Sequence, residues 1–209
     1  MEIMKLILSS IPAIASIIGL YIAYKGLNKW HAETIGKRKA ELAEEVLADF
    51  YEAKDIINGA RNPGGFNNEG NTRQKQDWES LDDTRILNSY YRTFERLHNK
   101  AEFFAKLQAR KYRFVALFGI KSVSIYDQLF MIHEEIIGAT KMLLLTHQRN
   151  SNREETDSIV RWKTAIGWGD PVSDPTLPKL DKIISEVENI CRPAIQERYG
   201  NFLSLKFFY

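Results

Sequence analysis

Apolar positions follow two different patterns along this chain. The first is an unbroken run. From Leu6 to Tyr24, nineteen residues carry no charge, and Lys5 and Lys25 bracket them. As a helix rising 1.5 Å per residue, the run is roughly 28 Å long, close to the roughly 30 Å core of a bilayer. A secretory signal has a shorter apolar core and a small-residue cleavage site. This run instead ends in Tyr21-Ile22-Ala23-Tyr24 and leads into a basic stretch. A helix lying on the membrane surface would show a charged face, and this run has none. The pattern therefore predicts a single membrane span within residues 1–30, with residues 31–209 forming one separate domain.

The second pattern is helical periodicity, and it covers the rest of the chain. From Ala40 to Asn58, apolar residues fall at Ala43, Val46, Leu47, Phe50, Ala53 and Ile57, one stripe of a helix. Residues 59–77 contain Asn62-Pro63-Gly64-Gly65 and four more Asn or Gly in the next six positions, which reads as a loop. Asp82 or Asp83 is the expected cap of a helix carrying Leu87, Tyr90, Phe94, Leu97, Ala101 and Phe104 and continuing to Phe118. Gly119 breaks it. A second long helix, through Val123, Tyr126, Phe130, Ile137 and Leu144, has so broad an apolar surface that it should be central. A short helix covers 156–166, a Gly/Pro-rich connector runs to Pro178, and a last helix carries Leu180, Ile184, Val187 and Cys191. Pro193 should bend or split that helix, and the apolar stretch 202–209 must pack somewhere. No strand alternation persists. The fold class is all-α: a transmembrane helix followed by a bundle of four or five helices.

Charge sets the expected topology. Lys25, Lys29, Lys37, Arg38 and Lys39 stand against Glu33 in residues 25–40, a net +4, while only Glu2 precedes Lys5. By the positive-inside rule the N-terminus is outside and the bundle cytoplasmic, giving a single-pass protein of the cell inner membrane. Tyr21, Tyr24 and Trp30 sit where an interfacial aromatic belt would lie. Pro12 should start or kink the span rather than end it. Within the run, Ala15, Gly19 and Ala23 recur every four residues, and Ser9 and Ser16 lie seven apart. Small residues at such spacing let helices approach closely in lipid. The expected partners are therefore the lipid bilayer and further copies of the chain, a homo-oligomer.

Composition narrows the chemistry. Hydrophobic residues make up 44% and charged residues 27%, which excludes a disordered chain. The net charge of +2 argues against a dedicated nucleic-acid binder. The densest basic patch beyond the juxtamembrane stretch is Lys106, Arg110, Lys111 and Arg113. It suits RNA or anionic lipid, or is simply a solvated helix end. The single cysteine, Cys191, lies on an apolar face and reads as a buried hydrophobe. The four histidines are scattered, without His-x3-His and without Glu-x-x-His on paired helices, so no metal site and no small-molecule cofactor are expected. One constellation stands out: Arg92 and His98, six positions apart in Arg92-Thr93-Phe94-Glu95-Arg96-Leu97-His98. The His could serve acid/base chemistry and the Arg could stabilise developing negative charge. The alternative is a solvated Arg and a partly buried His beside Phe94.

On these residues the chain resembles the small membrane-anchored HEPN-like accessory proteins of type VI-B CRISPR systems. They too combine an N-terminal span, a basic linker, a helical bundle and an Arg-x4–6-His. That resemblance implies a ring of subunits whose N-terminal helices form or gate a pore in the inner membrane, in antiviral defence. It also implies a CRISPR effector protein, or RNA, as possible partner. Arg92 and His98 would be the catalytic pair if the bundle were instead a HEPN-type ribonuclease tethered to the membrane. A third reading is a passive scaffold that docks a protein partner. Residues 27–63, with Trp30, Gly36-Lys37-Arg38 and Ala60-Arg61-Asn62-Pro63, also look like a run in uncharacterised bacterial single-span proteins, which carries no function with it.

Overall fold

A computed structural model describes the backbone of residues 2–66, 68–149 and 155–205, and the side chains of 15–66, 68–148 and 155–198. Among these residues there is helix and no strand, so the protein is all-α. Six α-helices follow one another: α1 (Glu2–Ala60), α2 (Leu81–His98), α3 (Ala101–Phe118), α4 (Val123–Arg149), α5 (Asp157–Ala165) and α6 (Thr176–Leu205).

The upper half of α1 carries the expected stripe. Ala43, Val46, Phe50, Ala53 and Ile57 are all fully buried. The stripe packs against α6, which runs antiparallel to it: Lys54 pairs with Asp181, Tyr51 donates to Glu188, and Glu41 and Glu44 meet Arg198. On the other side α3 also runs antiparallel. Its Arg110 pairs with Glu45 and Asp49, and Lys39 sits over the Phe118 ring. The expected central helix is α4, with Ile125, Tyr126, Leu129, Ile136 and Leu143 buried. Its Tyr126 ring meets Phe50 edge-on at 5.0 Å, which ties α4 to α1 through the middle of the core.

Four local expectations are corrected. The long helix expected over 82–118 is two helices. Asn99 and Lys100 end α2 and start α3, where the chain takes a 3-10-like step (Lys100 N–H to Leu97 O, 3.0 Å). This raises the helix count above five. The cap of α2 is Ser80, not Asp82 or Asp83. The Ser80 hydroxyl accepts from the Asp83 N–H while the Asp83 carboxylate accepts from the Ser80 N–H, a reciprocal capping box. The connector after α5 ends at Pro175, since Pro178 fits in the first turn of α6, where a missing N–H costs nothing. Finally, of the two outcomes expected at Pro193, a bend or a split, the split does not occur: α6 passes through it as one helix. Pro12 and the 202–209 packing expectation fall outside the residues whose side chains are described.

Candidate functional site

Below the bundle α1 continues alone. From Ala15 to Glu33 every residue is exposed, and the bare rod from Ala15 to Lys39 is about 36 Å long. From Ala15 to Tyr24 it carries no charge, and large apolar side chains stand bare along it: Ile17 is 67% exposed, Leu20 71% and, further on, Trp30 61%. A helix that is hydrophobic all round belongs in a buried setting. Burying Ile17, Ile18, Leu20, Tyr21, Ile22 and Tyr24 would contribute on the order of 10 kcal/mol. Among the described residues no helix is long and apolar enough to cross a membrane. The side chains of the lower part of the uncharged run, residues 6–14 with Ser9, are not among those described.

Of the small-residue positions, Ala15, Ser16, Gly19 and Ala23 lie on this exposed rod. A Cβ placed on Gly19 would meet nothing within 4 Å, so the chain's own fold leaves that face open. The cations that follow the uncharged run are partly paired along the helix, Lys29 with Glu33 and Lys37 with Glu41, both at 3.9 Å with exposed partners. Lys25 lies over the Tyr21 ring at 5.0 Å.

The other end of α1 is held by two arginine clamps that the sequence reading missed. Arg96 of α2 donates to the carbonyls of Gly59 (3.1 Å), Asn62 (2.8 Å) and Gly64 (2.8 Å) and grips the Glu69 carboxylate with Nε and Nη2. It thereby satisfies carbonyls that the end of α1 leaves open. Arg61, just past α1 and only 4% exposed, donates to the carbonyls of Ala165 and Thr164 at the end of α5 and to both oxygens of Asp174 at 2.9 Å. Gly167 makes this approach possible. Its φ is +85°, and a Cβ there would lie 1.9 Å from the Arg61 carbonyl oxygen.

The loop between α1 and α2 is equally fixed. Glu95 accepts from the Gly70 N–H and the Thr72 hydroxyl. Arg73 forms a two-pronged pair with the fully buried Glu79 carboxylate, at 2.7 and 2.5 Å. The Arg73 side chain, helped by the Gln76 N–H, holds the Glu79 carboxyl down at about 2 against the opposing effect of burial. Because that value lies below the ordinary 4.5, the pairing stabilises the fold above about pH 4.5 and is lost as pH falls towards 2. Glu79→Gln should therefore be less stable than wild type at pH 7, with the gap closing below pH 3. Thermal melts followed by circular dichroism across that range read it directly, and a constant gap would refute the assignment.

Arg92 belongs to the same loop-holding system. Its Nη1 donates to the Pro63 carbonyl at 2.9 Å, and Glu69 lies 3.6 Å from its Nε. Gly65 lies against the guanidinium: a Cβ there would be 2.3 Å from Nη1. His98 is exposed and stacked on Phe94 at 5.7 Å. Six residues of helix separate the two by about 600°, so they point about 120° apart. Exposure is thus the reverse of the plain alternative: the arginine is half-buried and the histidine solvated. The basic patch is dispersed. Arg110 pairs with Glu45 and Asp49, Lys111 with Asp127 and Lys106 with Glu102, while Arg113 is exposed and has no ion pair among the described residues. Cys191 is fully buried, and burial pushes its thiol up to about 12. Among the described residues no three His, Cys, Asp or Glu side chains are grouped to hold a metal ion.

The fold and site define an all-α bundle from which one helix projects bare and apolar. No protein-family model matches the chain. No curated protein matches it, and no solved structure does.

Proposed function

We propose that this chain is a non-enzymatic, single-span membrane protein that self-associates through α1 and forms or gates a pore in the bilayer. One observation carries the reading: the apolar rod and the first core helix are the same uninterrupted α1. Exposed Ile and Leu flanking the small-residue face of residues 15–24 call for lipid or sister helices. Clamps at Gly59, Arg61 and Asn62 fasten the far end of α1 to α2, α5 and the α5–α6 connector. A rotation of the bundle therefore turns the rod, where a flexible linker would have absorbed it. This is why we favour a gating device over a passive tether. The likeness to the CRISPR-linked accessory proteins supplies the setting, an inner membrane under phage attack.

Any channel would be lined by little besides Ser9, Ser10 and Ser16 and would gate by dewetting. The test has two arms on the full chain. In detergent, its mass should exceed that of one chain; a monomer would end the pore reading. Added to dye-loaded vesicles, an assembled protein should release dye. An oligomer that releases none would leave the scaffold reading standing in its place.

A further inference from the structure

The uncharged face of α1 does not end where the apolar run ends. Ser16, Leu20, Ala23, Leu27, Trp30 and Thr34 alternate four and three residues apart, the spacing of a coiled-coil seam. At about 100° per residue, the six lie within a sector about 80° wide. Lys25, Lys29 and Glu33 point about 100° or more from its centre. The seam thus passes Tyr24 and climbs roughly 15 Å further along the helix, out of the apolar run.

The protein's own fold leaves this face uncovered. Leu27 is 62% exposed and Trp30 61%. Further along α1, the buried stripe of Val46, Phe50, Ala53 and Ile57 points about 100–160° away from the seam, so the bundle stands to one side of it. The Thr34 hydroxyl donates to the Trp30 carbonyl at 2.8 Å and brings no unpaired donor to a contact. Charge marks the occupant as a second copy of the chain. Copies anchored by the same span stand parallel and at one depth, so each seam residue faces its own counterpart. A charge on the seam would then face itself, and none occurs from Ser16 to Thr34. Glu33 and Arg38 flank the seam on opposite sides. In a parallel pair their spacing sets the Glu33 of one copy beside the Arg38 of the next. Arg38 is exposed and has no ion pair of its own among the described residues.

We propose that residues 20–38 of α1 zip with those of a neighbouring copy into a short parallel coiled coil, which carries the helix contact from the lipid into the water beside it. The proposal rests on the reading of α1 as a self-associating span. About two heptads of stalk are too short to hold copies together unaided, but packed spans keep the stalks at high effective concentration. Paired stalks make neighbouring rods turn together, so a movement of one bundle reaches the next copy through the seam.

Disulfide trapping of the full chain in phosphatidylcholine vesicles tests the idea. Single variants are oxidised with copper phenanthroline: Leu27→Cys and Thr34→Cys on the stalk seam, Leu20→Cys on the seam within the apolar run, and Ala32→Cys on the opposite, exposed face of the stalk. Facing seam positions bring two Cα atoms within the roughly 4.4–6.8 Å that a disulfide spans, and positions on the far side do not. The native Cys191 does not compete, because its thiol is buried and raised to about 12. The expected result is several-fold more covalent dimer at 27 and 34 than at 32. Adding Arg38→Glu to Leu27→Cys should cut the yield several-fold, and Glu33→Arg in the same chain should restore it; a yield indifferent to both overturns the parallel register. Strong trapping at 20, with no more at 27 and 34 than at 32, overturns this proposal and spares the packing in lipid. Trapping at 20, 27 and 34 no greater than at 32 overturns the two together.

Discussion

Arg61→Ala should lower the stability of the bundle by about 3–5 kcal/mol, the cost of leaving one partner of a buried ion pair alone. The side chain is 4% exposed, and the Asp174 side chain it grips only 11%. Without the guanidinium, Asp174 keeps a buried charge, and the carbonyls of Thr164 and Ala165 lose their donors. Against a typical domain stability of about 5–15 kcal/mol, that is a large fraction. Arg61→Lys should rescue little, since one ammonium cannot serve two carbonyls and a carboxylate from a planar fork. Urea unfolding measures the effect. A loss under about 1 kcal/mol would show that the clamp is not what fastens α1. Gly167→Ala approaches the same joint from the backbone side and should be similarly damaging, because its Cβ meets the Arg61 carbonyl at 1.9 Å and its φ is +85°. In both variants the rod would remain in lipid while the bundle loosens from it. Membrane attachment should survive and dye release should fall, which separates the coupling from the anchor.

That joint was not legible in the sequence, and the reason is physical. Periodicity reports which face of a helix is apolar, so it located the stripe through Val46, Phe50 and Ile57, the central α4 and the last helix with Val187 and Cys191. It carries no information on what a long polar side chain will reach. Nothing along the chain marks Arg61 and Arg96 as clamps; their partners at the end of α1 and the end of α5 meet them only in space. The same blindness applies to Arg92. Its spacing from His98 drew attention, whereas its neighbours Glu95 and Arg96 hold more of the loop together. Boundaries failed where a local step outweighed the stripe. Apolar intervals run on from Leu97 through Phe104 without a break, so only the backbone at Asn99 and Lys100 shows that α2 and α3 are separate. The capping box was readable as Ser80 three residues ahead of Asp83, but the acidic pair drew the reading one turn too far.

The largest expected effect concerns where the protein resides. Ala15 is the midpoint of the uncharged run, and Gly19 lies one turn above it. A lysine near the centre of a membrane helix costs roughly 2.5–3.5 kcal/mol on insertion scales, so Ala15→Lys with Gly19→Lys together cost roughly 5–7 kcal/mol. Snorkelling relieves little there, because the centre is the point furthest from either interface. The double variant should leave the membrane pellet and appear soluble or aggregated, with the bundle's helical signal intact, since neither residue touches the core. Ala15→Leu with Gly19→Leu makes the complementary point. Leucine keeps the rod in lipid but adds bulk where the bare Gly19 face would let a sister helix approach. That variant should stay in the pellet and lose its oligomer in detergent. Were the lysine variant still membrane-bound, the rod would not be the anchor. Were the leucine variant still an oligomer of unchanged mass, the copies would meet elsewhere, and a pore built on α1 would have to be abandoned even though the anchor stood.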